Sequence, residues 1–432
     1  MSQTVEILHD LISFATVSRD PNRALIDYVA DRLDDAGISA TVIPDESNKK
    51  ANLFASIGPT GSGPVGSGPV SSGPVSSGPV SSGPVSSGPV SSGPVSSGPV
   101  SSGQHGPDNG GVMLSGHTDV VPIDGQDWTR PAFTCTEEDG RLYGRGTTDM
   151  KGFCAAAIAS FVAASKLPLR SPLHLALSYD EEIGCIGVRS IIEMMAKAPF
   201  RPAMCIVGEP TEMGLGTGHK GKTAIRAQCH GRAGHSALAP LAVNALHLAC
   251  DLAGEIRATQ DELRENGARD DDYNIPYTTL HVGRIDGGVQ LNIVPHEAVI
   301  DFEIRNLAED NPQDIIQTIE RRIAPIIARA QQIAPEAAIN FTITNTYPGL
   351  DTAPDEDVVT LLKSLTGANT TIKMAFGTEG GLFSRDLGIP TVICGPGSMD
   401  QGHKPDEFVT RQQLALCDDM LAKLNQRLVA GL

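Results

Sequence analysis

Residues 112–122 of this chain read Val-Met-Leu-Ser-Gly-His-Thr-Asp-Val-Val-Pro, and the rest of the chain is organised around this stretch. An apolar run leads into small residues and then into His117 and Asp119, which are two positions apart. Alternate residues of a strand point to the same face, so the pattern predicts a buried strand that presents an imidazole beside a carboxylate. An imidazole that binds a metal through one nitrogen needs its other N–H held by an acceptor, and Asp119 is positioned for that task. An isolated His-x-Asp is more often a core histidine beside a solvated acid, so a metal site requires further ligands elsewhere in the chain.

The length and composition of the chain limit its fold and its partners. Its 432 residues are 40% hydrophobic, which is enough for substantial cores and favours two domains over one. The formal net charge of −18 is opposite to the basic face that nucleic-acid binding requires. Residues 1–18 lack the basic region of a secretory signal, no apolar run is long enough to span a bilayer, and the eight cysteines form no Cys-x-x-Cys pair. These features predict a cytoplasmic protein that binds neither nucleic acid nor a membrane.

One segment differs from the rest of the chain. Between residues 62 and 100 the tetrad Ser-Gly-Pro-Val recurs eight times, with a period of five residues. Proline removes a backbone donor from each repeat, glycine raises the chain entropy, and one valine per repeat cannot build a core. Residues 59–110 are therefore predicted to form a disordered loop between two neighbouring strands, which a fold tolerates because closure entropy grows slowly with loop length. A Pro-rich docking site is the alternative, although the repeat contains no Pro-x-x-Pro.

Predicted strands and helices alternate after the opening stretch. Strands are predicted at 173–178 and 204–207, helices at 153–166 and 188–196, and acidic residues follow the strands. This alternation is typical of an α/β fold with a mostly parallel central sheet, in which ligand sites form at the C-terminal ends of the strands.

From about residue 221 the pattern changes to that of an α+β module inserted into the first domain. The chain then returns to the first domain with further predicted helices and a strand. The sequence thus predicts one domain from residues 1–220 and 344–432 and a second from residues 221–343.

Five residues of metal-binding type lie at the C-terminal ends of predicted strands: His117, Asp149, Glu182, Glu209 and His403. Two imidazoles with three carboxylates form a mixed nitrogen and oxygen set that suits Zn²⁺, Co²⁺ or Mn²⁺ better than Ca²⁺ or Mg²⁺. The set is too large for one four-coordinate zinc that keeps a position for water, but it fits two metals that share a bridging carboxylate. Glu181, beside Glu182, is a candidate general base for a metal-activated water. A set of unrelated solvated groups is the alternative, and the recurrence at successive strand ends disfavours it.

Several motifs resemble those of the M20 family of co-catalytic zinc amidohydrolases. They are Ser-Gly-His-Thr-Asp at 115–119, Asp-Met-Lys-Gly at 149–152, Asp-Glu-Glu-x-Gly at 180–184, Gly-Glu-Pro-Thr at 208–211 and the late His403. Within the family the chain is most similar to the acetylornithine deacetylase subgroup, through Gly-Thr-Glu-Gly-Gly-Leu-Phe at 377–383, Cys-Gly-Pro-Gly at 394–397 and Gly-His-Lys-Pro-Asp-Glu-Phe at 402–408. The resemblance covers the chain apart from the repeat. It implies a zinc-peptidase-like catalytic domain and an inserted lid domain through which two subunits form a homodimer.

The resemblance also implies two zinc ions per chain, for which Co²⁺ can substitute. One ion is expected on His117 and Glu209, the other on Glu182 and His403, and Asp149 is expected to bridge the two. The family further implies a cis peptide between Asp149 and Met150, although cis bonds outside proline are rare.

Other roles follow from the same resemblance. Asp119 is expected to orient His117, and Glu181 to activate the water between the metals. His235 matches a lid histidine that reaches the active site of the partner subunit and stabilises the oxyanion there. Asn292 and Arg305 match lid residues that bind the carboxylate of the substrate, for which a guanidinium is well suited.

The function implied by the resemblance is hydrolysis of the amide bond of an N-acyl amino acid. N2-acetyl-L-ornithine is the favoured substrate, and its hydrolysis gives L-ornithine and acetate as a step of arginine biosynthesis. Succinyl-diaminopimelate desuccinylase and dipeptidase or carboxypeptidase activities remain alternatives, because the residues alone do not separate their substrate pockets. A non-catalytic scaffold that works through the repeat is a remote alternative, since it predicts loss of the general base and Glu181 is present.

Overall fold

The computed structural model describes residues 2–59 and 110–432 of the chain. Residues 60–109, which include the Ser-Gly-Pro-Val repeat, lie outside the described residues, and the predicted disordered loop therefore stays a prediction. In the described part of the chain, no helix is long and apolar enough to cross a membrane.

Helices and strands alternate through most of the described chain. The helices are α1 (Gln3–Ser13), α2 (Arg23–Asp35), α3 (Lys151–Ala164), α4 (Val188–Lys197), α5 (Ala245–Asn266), α6 (Pro312–Gln331), α7 (Asp357–Thr366), α8 (Gly380–Leu387) and α9 (Arg411–Ala430). The first strands are β1 (Ala40–Pro44), β2 (Ala51–Ile57), β3 (Val112–His117), β4 (Thr136–Glu138), β5 (Arg141–Tyr143), β6 (Leu173–Ser178), β7 (Met204–Pro210), β8 (Leu215–His219) and β9 (Lys222–His230). The later strands are β10 (Gly234–His235), β11 (Thr279–Gly287), β12 (Ile293–Val294), β13 (Glu297–Arg305), β14 (Ala338–Tyr347), β15 (Leu350–Asp351), β16 (Thr371–Met374), β17 (Thr391–Gly395) and β18 (Phe408–Thr410).

The central sheet has the strand order β1-β2-β6-β3-β7-β17-β8-β15, and β16 pairs with β8. Its middle strands β6, β3, β7 and β17 are parallel to one another. The outer strands β1, β2 and β15 pair in the antiparallel sense. The predicted α/β fold with a mostly parallel central sheet is therefore confirmed.

The apolar run that opens β3 forms the core on both faces of this sheet. Val112 and Leu114 join one hydrophobic cluster and Met113 joins the other, because successive side chains of a strand point to opposite faces. The Ala-rich helix α3 packs against α1 and α9, and α4 packs against α8. Strands covered in this way are buried at every position, as β3 and β6 are, so they read as continuous apolar runs. Because both faces of the sheet are covered by apolar side chains, polar side chains can be grouped at the C-terminal edge of the sheet.

Three smaller sheets complete the described structure, and one of them is the antiparallel pair β10-β12. The four antiparallel strands β11-β13-β9-β14 carry α5 and α6 and have apolar clusters of their own, and all four strands lie between Lys222 and Tyr347. The division of the chain into a catalytic and a lid domain stays a prediction. The strands β18, β5 and β4 form a separate three-stranded sheet.

Candidate metal centre

Four of the five predicted metal ligands come from the C-terminal ends of adjacent strands in the central sheet. His117 is the last residue of β3, Glu209 lies near the end of β7, Glu182 follows β6, and His403 lies in the loop after β17. Because β6, β3, β7 and β17 are consecutive and parallel, these side chains meet at one edge of the sheet. His117 and Glu209 are buried there, whereas the side chain of His403 is 46% exposed.

The fifth ligand, Asp149, reaches the cluster by a different route. The strand before it, β5, belongs to the three-stranded sheet, so the prediction that all five residues follow successive strands of the parallel sheet is wrong for Asp149. Asp149 instead lies in the turn that leads into α3. The peptide between Asp149 and Met150 is cis, as the resemblance implied.

Asp149 lies between the two imidazoles. Its Oδ1 is 3.1 Å from Nε2 of His117, and its Oδ2 is 3.0 Å from Nε2 of His403. Oε1 of Glu209 is 3.6 Å from the same nitrogen of His117, and Oε2 of Glu182 is 3.1 Å from Nε2 of His403. One carboxylate therefore faces two imidazoles through two different oxygens, and each side has a second carboxylate. A carboxylate that bridged two metal positions would present its two oxygens in this way.

The donors and their charge fit two divalent cations. His117 forms two possible three-residue metal sites, one with Glu181 and Glu209 and one with Asp149 and Glu182, and within each the ligand atoms lie within 4.8 Å of one another. Oε1 of Glu182 is buried and has no hydrogen-bond partner among the described residues. Burying a carboxylate is costly unless it is paired or binds a metal. A pair of divalent cations would provide a partner for the unpaired oxygen of Glu182 and would balance the excess of negative charge from the carboxylates.

The pKa values of these groups reflect their burial and their contacts. Burial raises the pKa of Glu209 well above its ordinary value and raises that of Glu182 to about 7. Hydrogen bonds to Asp149 and Glu182 raise the pKa of His403 to about 10. In Asp149 burial acts to raise the pKa, but hydrogen bonds from His117 and His403 outweigh it and lower the pKa. Metal ligands must be deprotonated, so cations compete with protons at each of these atoms.

Glu181 and Glu182 are adjacent in sequence but are directed to different partners. Oε2 of Glu181 lies 4.0 Å from Nε2 of His117, while Oε1 accepts a hydrogen bond from Sγ of Cys185 at 3.3 Å. Burial raises the pKa of Glu181 well above its ordinary value, and the nearby Glu182 carboxylate raises it further against the opposing effect of His117. Glu181 is thus a buried carboxylate beside the candidate metal positions, whereas Glu182 contacts His403.

The structure changes the predicted geometry of Asp119. β3 ends at His117, so the two residues do not share a strand. Nδ1 of His117 bonds the main-chain oxygen of Asp119 at 2.9 Å, whereas Oδ1 of Asp119 is 3.5 Å away. The carboxylate accepts hydrogen bonds from Oγ of Ser18 at 2.7 Å and from the backbone N–H of Glu181 at 3.1 Å. Asp119 therefore holds the imidazole mainly through its main chain and holds the loop of Glu181 through its side chain.

The predicted residues of the inserted module lie apart from the metal ligands. Within residues 2–59 and 110–432, no hydrogen bond or ion pair joins His235, Asn292 or Arg305 to the five metal-binding residues. His235 and Asn292 are exposed neighbours, because the N–H of Ser236 donates to the main-chain oxygen of Asn292 at 3.0 Å. Arg305 ends β13, and its Nη1 donates to the hydroxyl of Tyr347 at 3.2 Å.

Two buried carboxylates around the site received no predicted role. Glu379 accepts hydrogen bonds from Oγ of Ser115 at 3.1 Å and from Oγ of Ser178, beneath the strands β3 and β6. Glu407 accepts hydrogen bonds from the backbone of the turn that carries Asp149. Both lie in motifs quoted above, at 377–383 and 402–408, and their presence in these motifs was the available sequence signal.

The chain is similar to proteins of one known family. A family model described as Peptidase family M20/M25/M40 matches residues 113–427. An acetylornithine deacetylase from Shigella sonnei (strain Ss046) is 34% identical over 300 residues, which are 69% of this chain and 76% of that relative. An M20 family metallo-carboxypeptidase from Sulfolobus solfataricus matches with a TM-score of 0.71 at 17% identity over 100% of both chains. A dinuclear metal-binding peptidase of the M20 family from Bacillus subtilis matches with a TM-score of 0.62 at 14% identity, covering 99% of this chain and 98% of that one. At these identities the two solved structures show a shared fold.

Proposed function

This chain belongs to peptidase family M20/M25/M40 and is a metal-dependent amidohydrolase, and from that premise we propose that it hydrolyses N2-acetyl-L-ornithine to L-ornithine and acetate. The relative named acetylornithine deacetylase, at 34% identity, supports this substrate. We further propose that this reaction is a step of arginine biosynthesis, since ornithine is the product, and that it takes place in the cytoplasm.

The observation that carries the proposal is the position of Asp149 between His117 and His403. We infer that two divalent ions bind here, zinc in the first place, with Glu209 on the side of His117 and Glu182 on the side of His403. The dinuclear metal-binding relative of the same fold agrees with this inference. A pair of divalent ions in such a site lowers the pKa of a water molecule and polarises an acyl carbonyl.

Glu181 is the residue that we assign to proton transfer. Its carboxylate accepts a proton from the attacking water and delivers that proton to the amine nitrogen as the C–N bond breaks. The proton balance closes, because water supplies a hydroxyl to the acyl carbon and one proton, through Glu181, to the leaving amine, and the acetic acid formed then loses its own proton to give acetate. The side chain of Glu181 is only 10% exposed, which keeps bulk water away from the transferred proton.

We infer that the inserted module is a lid and that it forms a homodimer. Around His235 the apolar side chains of Leu241, Val289 and Leu291 are 70%, 79% and 100% exposed. Exposed apolar residues grouped in this way are typical of a protein interface. Nδ1 of His235 accepts a hydrogen bond from the N–H of Ala237 at 3.2 Å, so Nε2 is the ring nitrogen that is left for a contact with a second copy. We assign to it the stabilisation of the oxyanion in the site of that copy.

The substrate carboxylate is assigned to Arg305 and Asn292. Arg305 is partly exposed at the end of β13, and a guanidinium binds a carboxylate through parallel hydrogen bonds. Asn292 lies beside His235 and is exposed.

A panel of substrates tests the proposed activity. The metal-loaded protein is assayed with N2-acetyl-L-ornithine, N-succinyl-L,L-diaminopimelate and a dipeptide, and kcat/KM is expected to be highest for the first. A preference for the second or third overturns the substrate but not the family. Absence of turnover with every acyl amino acid supports the non-catalytic alternative.

A second experiment tests the homodimer. Leu291→Asp is expected to shift the protein from dimer to monomer in analytical ultracentrifugation, because it places a charge in the interface. Leu167→Asp is the matched control, since Leu167 is also exposed, at 42%, but follows α3 in the central part of the fold. A monomeric wild-type protein contradicts the homodimer.

A further inference from the structure

Tyr347 is a buried residue that lies outside the motifs described above. It ends β14, and it is only 8% exposed. Its ring packs on Gly377, where an added Cβ atom would lie 2.2 Å from the ring. Its hydroxyl oxygen accepts a hydrogen bond from Nη1 of Arg305 at 3.2 Å, across 42 residues of sequence. The ring is therefore fixed by packing, and its polar tip contacts the residue assigned to the substrate carboxylate.

Arg305 and Tyr347 both keep an unused donor. Nε of Arg305 donates to Glu303 at 3.0 Å and Nη1 donates to Tyr347, while Nη2 makes no hydrogen bond within the described residues. The Tyr347 oxygen acts as acceptor in its contact with Arg305, and its own O–H has no acceptor within the same part of the chain. Burial raises the pKa of Tyr347, so the phenol keeps its proton at neutral pH.

The end of β14 is joined to the loop that carries the proposed base. Nδ2 of Asn345 donates to the main-chain oxygen of Gly184 at 3.1 Å, and Nη2 of Arg189 donates to that of Thr346 at 2.5 Å. Tyr347 also belongs to the buried cluster that contains Cys185, whose Sγ bonds Glu181. Tyr347 thus shares a buried cluster with the cysteine that contacts the proposed base, and its hydroxyl contacts Arg305.

We propose that the O–H of Tyr347 and the guanidinium of Arg305 form a two-donor clamp for the free α-carboxylate of the substrate. In an N-acyl amino acid this carboxylate is attached one carbon away from the amide nitrogen. A clamp fixed to the loop of Glu181 therefore sets the position of the amide relative to the base. Tyr347 is a specificity-determining residue in this scheme, which rests on the proposed function and deepens it.

Replacement of one oxygen tests the clamp. Tyr347→Phe keeps the ring on Gly377 and removes the O–H donor. Hydrogen bonds to charged groups are among the stronger ones, so KM for N2-acetyl-L-ornithine is expected to rise about 10- to 100-fold. The α-carboxamide of the same compound lacks the negative charge, and its KM is expected to change less than about threefold. Tyr28→Phe is the matched control, because Tyr28 loses a hydrogen bond to Asp10 on α1, away from the site, and both substrates should then behave as with wild type.

A binding measurement separates failure of the clamp from failure of the proposed function. The chelator-treated protein is titrated with N2-acetyl-L-ornithine and with its carboxamide by calorimetry. Preference for the free acid that disappears in Tyr347→Phe supports the clamp even if the loaded enzyme turns over neither compound, in which case only the proposed function fails. Equal losses for acid and carboxamide show a structural role and overturn the clamp. No change in Tyr347→Phe, or no preference for the acid in wild type, also overturns it.

Discussion

The carboxylate of Glu407 accepts a hydrogen bond from the backbone N–H of Asp149 at 3.1 Å, so the loop that carries the candidate ligand His403 also positions the candidate ligand Asp149. Oε1 of Glu407, which accepts this hydrogen bond, also accepts hydrogen bonds from the N–H groups of Gly146 and Thr148, at 3.0 and 2.9 Å. Its Oε2 accepts a hydrogen bond from Nη1 of Arg145 at 2.6 Å, and both side chains of that ion pair are 1% exposed. Because Glu407 follows His403 by four residues, one short segment contacts Asp149 both through the backbone of Asp149 and through its carboxylate.

Glu407→Gln should therefore weaken metal binding without changing a ligand. The amide keeps one acceptor oxygen but loses the charge that Arg145 and three N–H groups share, so Asp149 should be held less firmly. Groups that orient metal ligands typically contribute about 10- to 100-fold in metal affinity or activity. Metal stoichiometry and metal titration of activity measure the effect. Glu138→Gln, in the exposed pair with Arg130, is the control, and unchanged metal affinity in Glu407→Gln contradicts the assigned role.

Metal removal should abolish activity reversibly. We expect about two zinc-type ions per chain, loss of turnover on treatment with chelator, and recovery with Zn²⁺ or Co²⁺, because the ligand set combines imidazole and carboxylate donors. Elemental analysis and the assay with N2-acetyl-L-ornithine measure the two quantities. Full activity after exhaustive chelation would show that the metal cluster is not the catalytic centre.

Glu181 and Glu182 should respond differently to the same substitution. Glu181→Gln removes the proton acceptor but keeps the shape, so kcat should fall by orders of magnitude while metal content and KM stay close to wild type. Glu182→Gln replaces a charged ligand beside His403 by a neutral one, so much of one metal site should be lost and added zinc should partly restore it. Elemental analysis together with kcat and KM separates the two roles. Metal loss in the first variant and not in the second reverses the assignment.

His174 should make the stability of the fold depend on pH. It is fully buried against Phe54 and Phe200, and burial lowers its pKa from 6.5 to about 4. As the pH falls, the unfolded chain takes up the proton first, so this contribution to stability is complete above pH 6.5 and is lost as the pH falls to about 4. His174→Gln should reduce the loss of unfolding free energy between pH 7 and pH 4 by up to about 3 kcal/mol.

Urea unfolding of chelator-treated wild type and His174→Gln at several pH values measures this difference. The chelator removes metal release as a source of pH dependence in both proteins. Equal losses in the two proteins would contradict a neutral buried imidazole at position 174.

Deletion of the repeat should leave catalysis nearly unchanged. Ile57 at the end of β2 and Val112 at the start of β3 are both paired with Leu173 of β6, on its two sides. Their separation is therefore two strand spacings, roughly 10 Å, which a short turn can cross. Replacement of residues 62–102 by such a turn should alter kcat and KM by less than about twofold. A large fall in activity of the folded deletion variant would show that the repeat acts on the site or the lid.

Local sequence patterns were sufficient for the sheet and for most of the candidate site. The apolar runs of β3 and β6 predicted buried parallel strands, because a strand covered on both faces has no polar alternation. Polar residues after such strands converge at one edge of the sheet, which is why the sequence pattern is enough to group His117, Glu182 and Glu209.

The candidate metal ligands can be identified from sequence, since the chemistry of a side chain and its place after a predicted strand are local properties. How those side chains are held depends on the tertiary structure. Asp149 follows a strand of a separate small sheet, and its backbone N–H donates a hydrogen bond to Glu407. His117 is hydrogen-bonded to the main-chain oxygen of Asp119, and the hydroxyl of Tyr347 accepts a hydrogen bond from Arg305. These contacts join segments that no periodicity relates, because hydrogen bonding and packing across distant parts of a chain depend on the complete arrangement of its sheets.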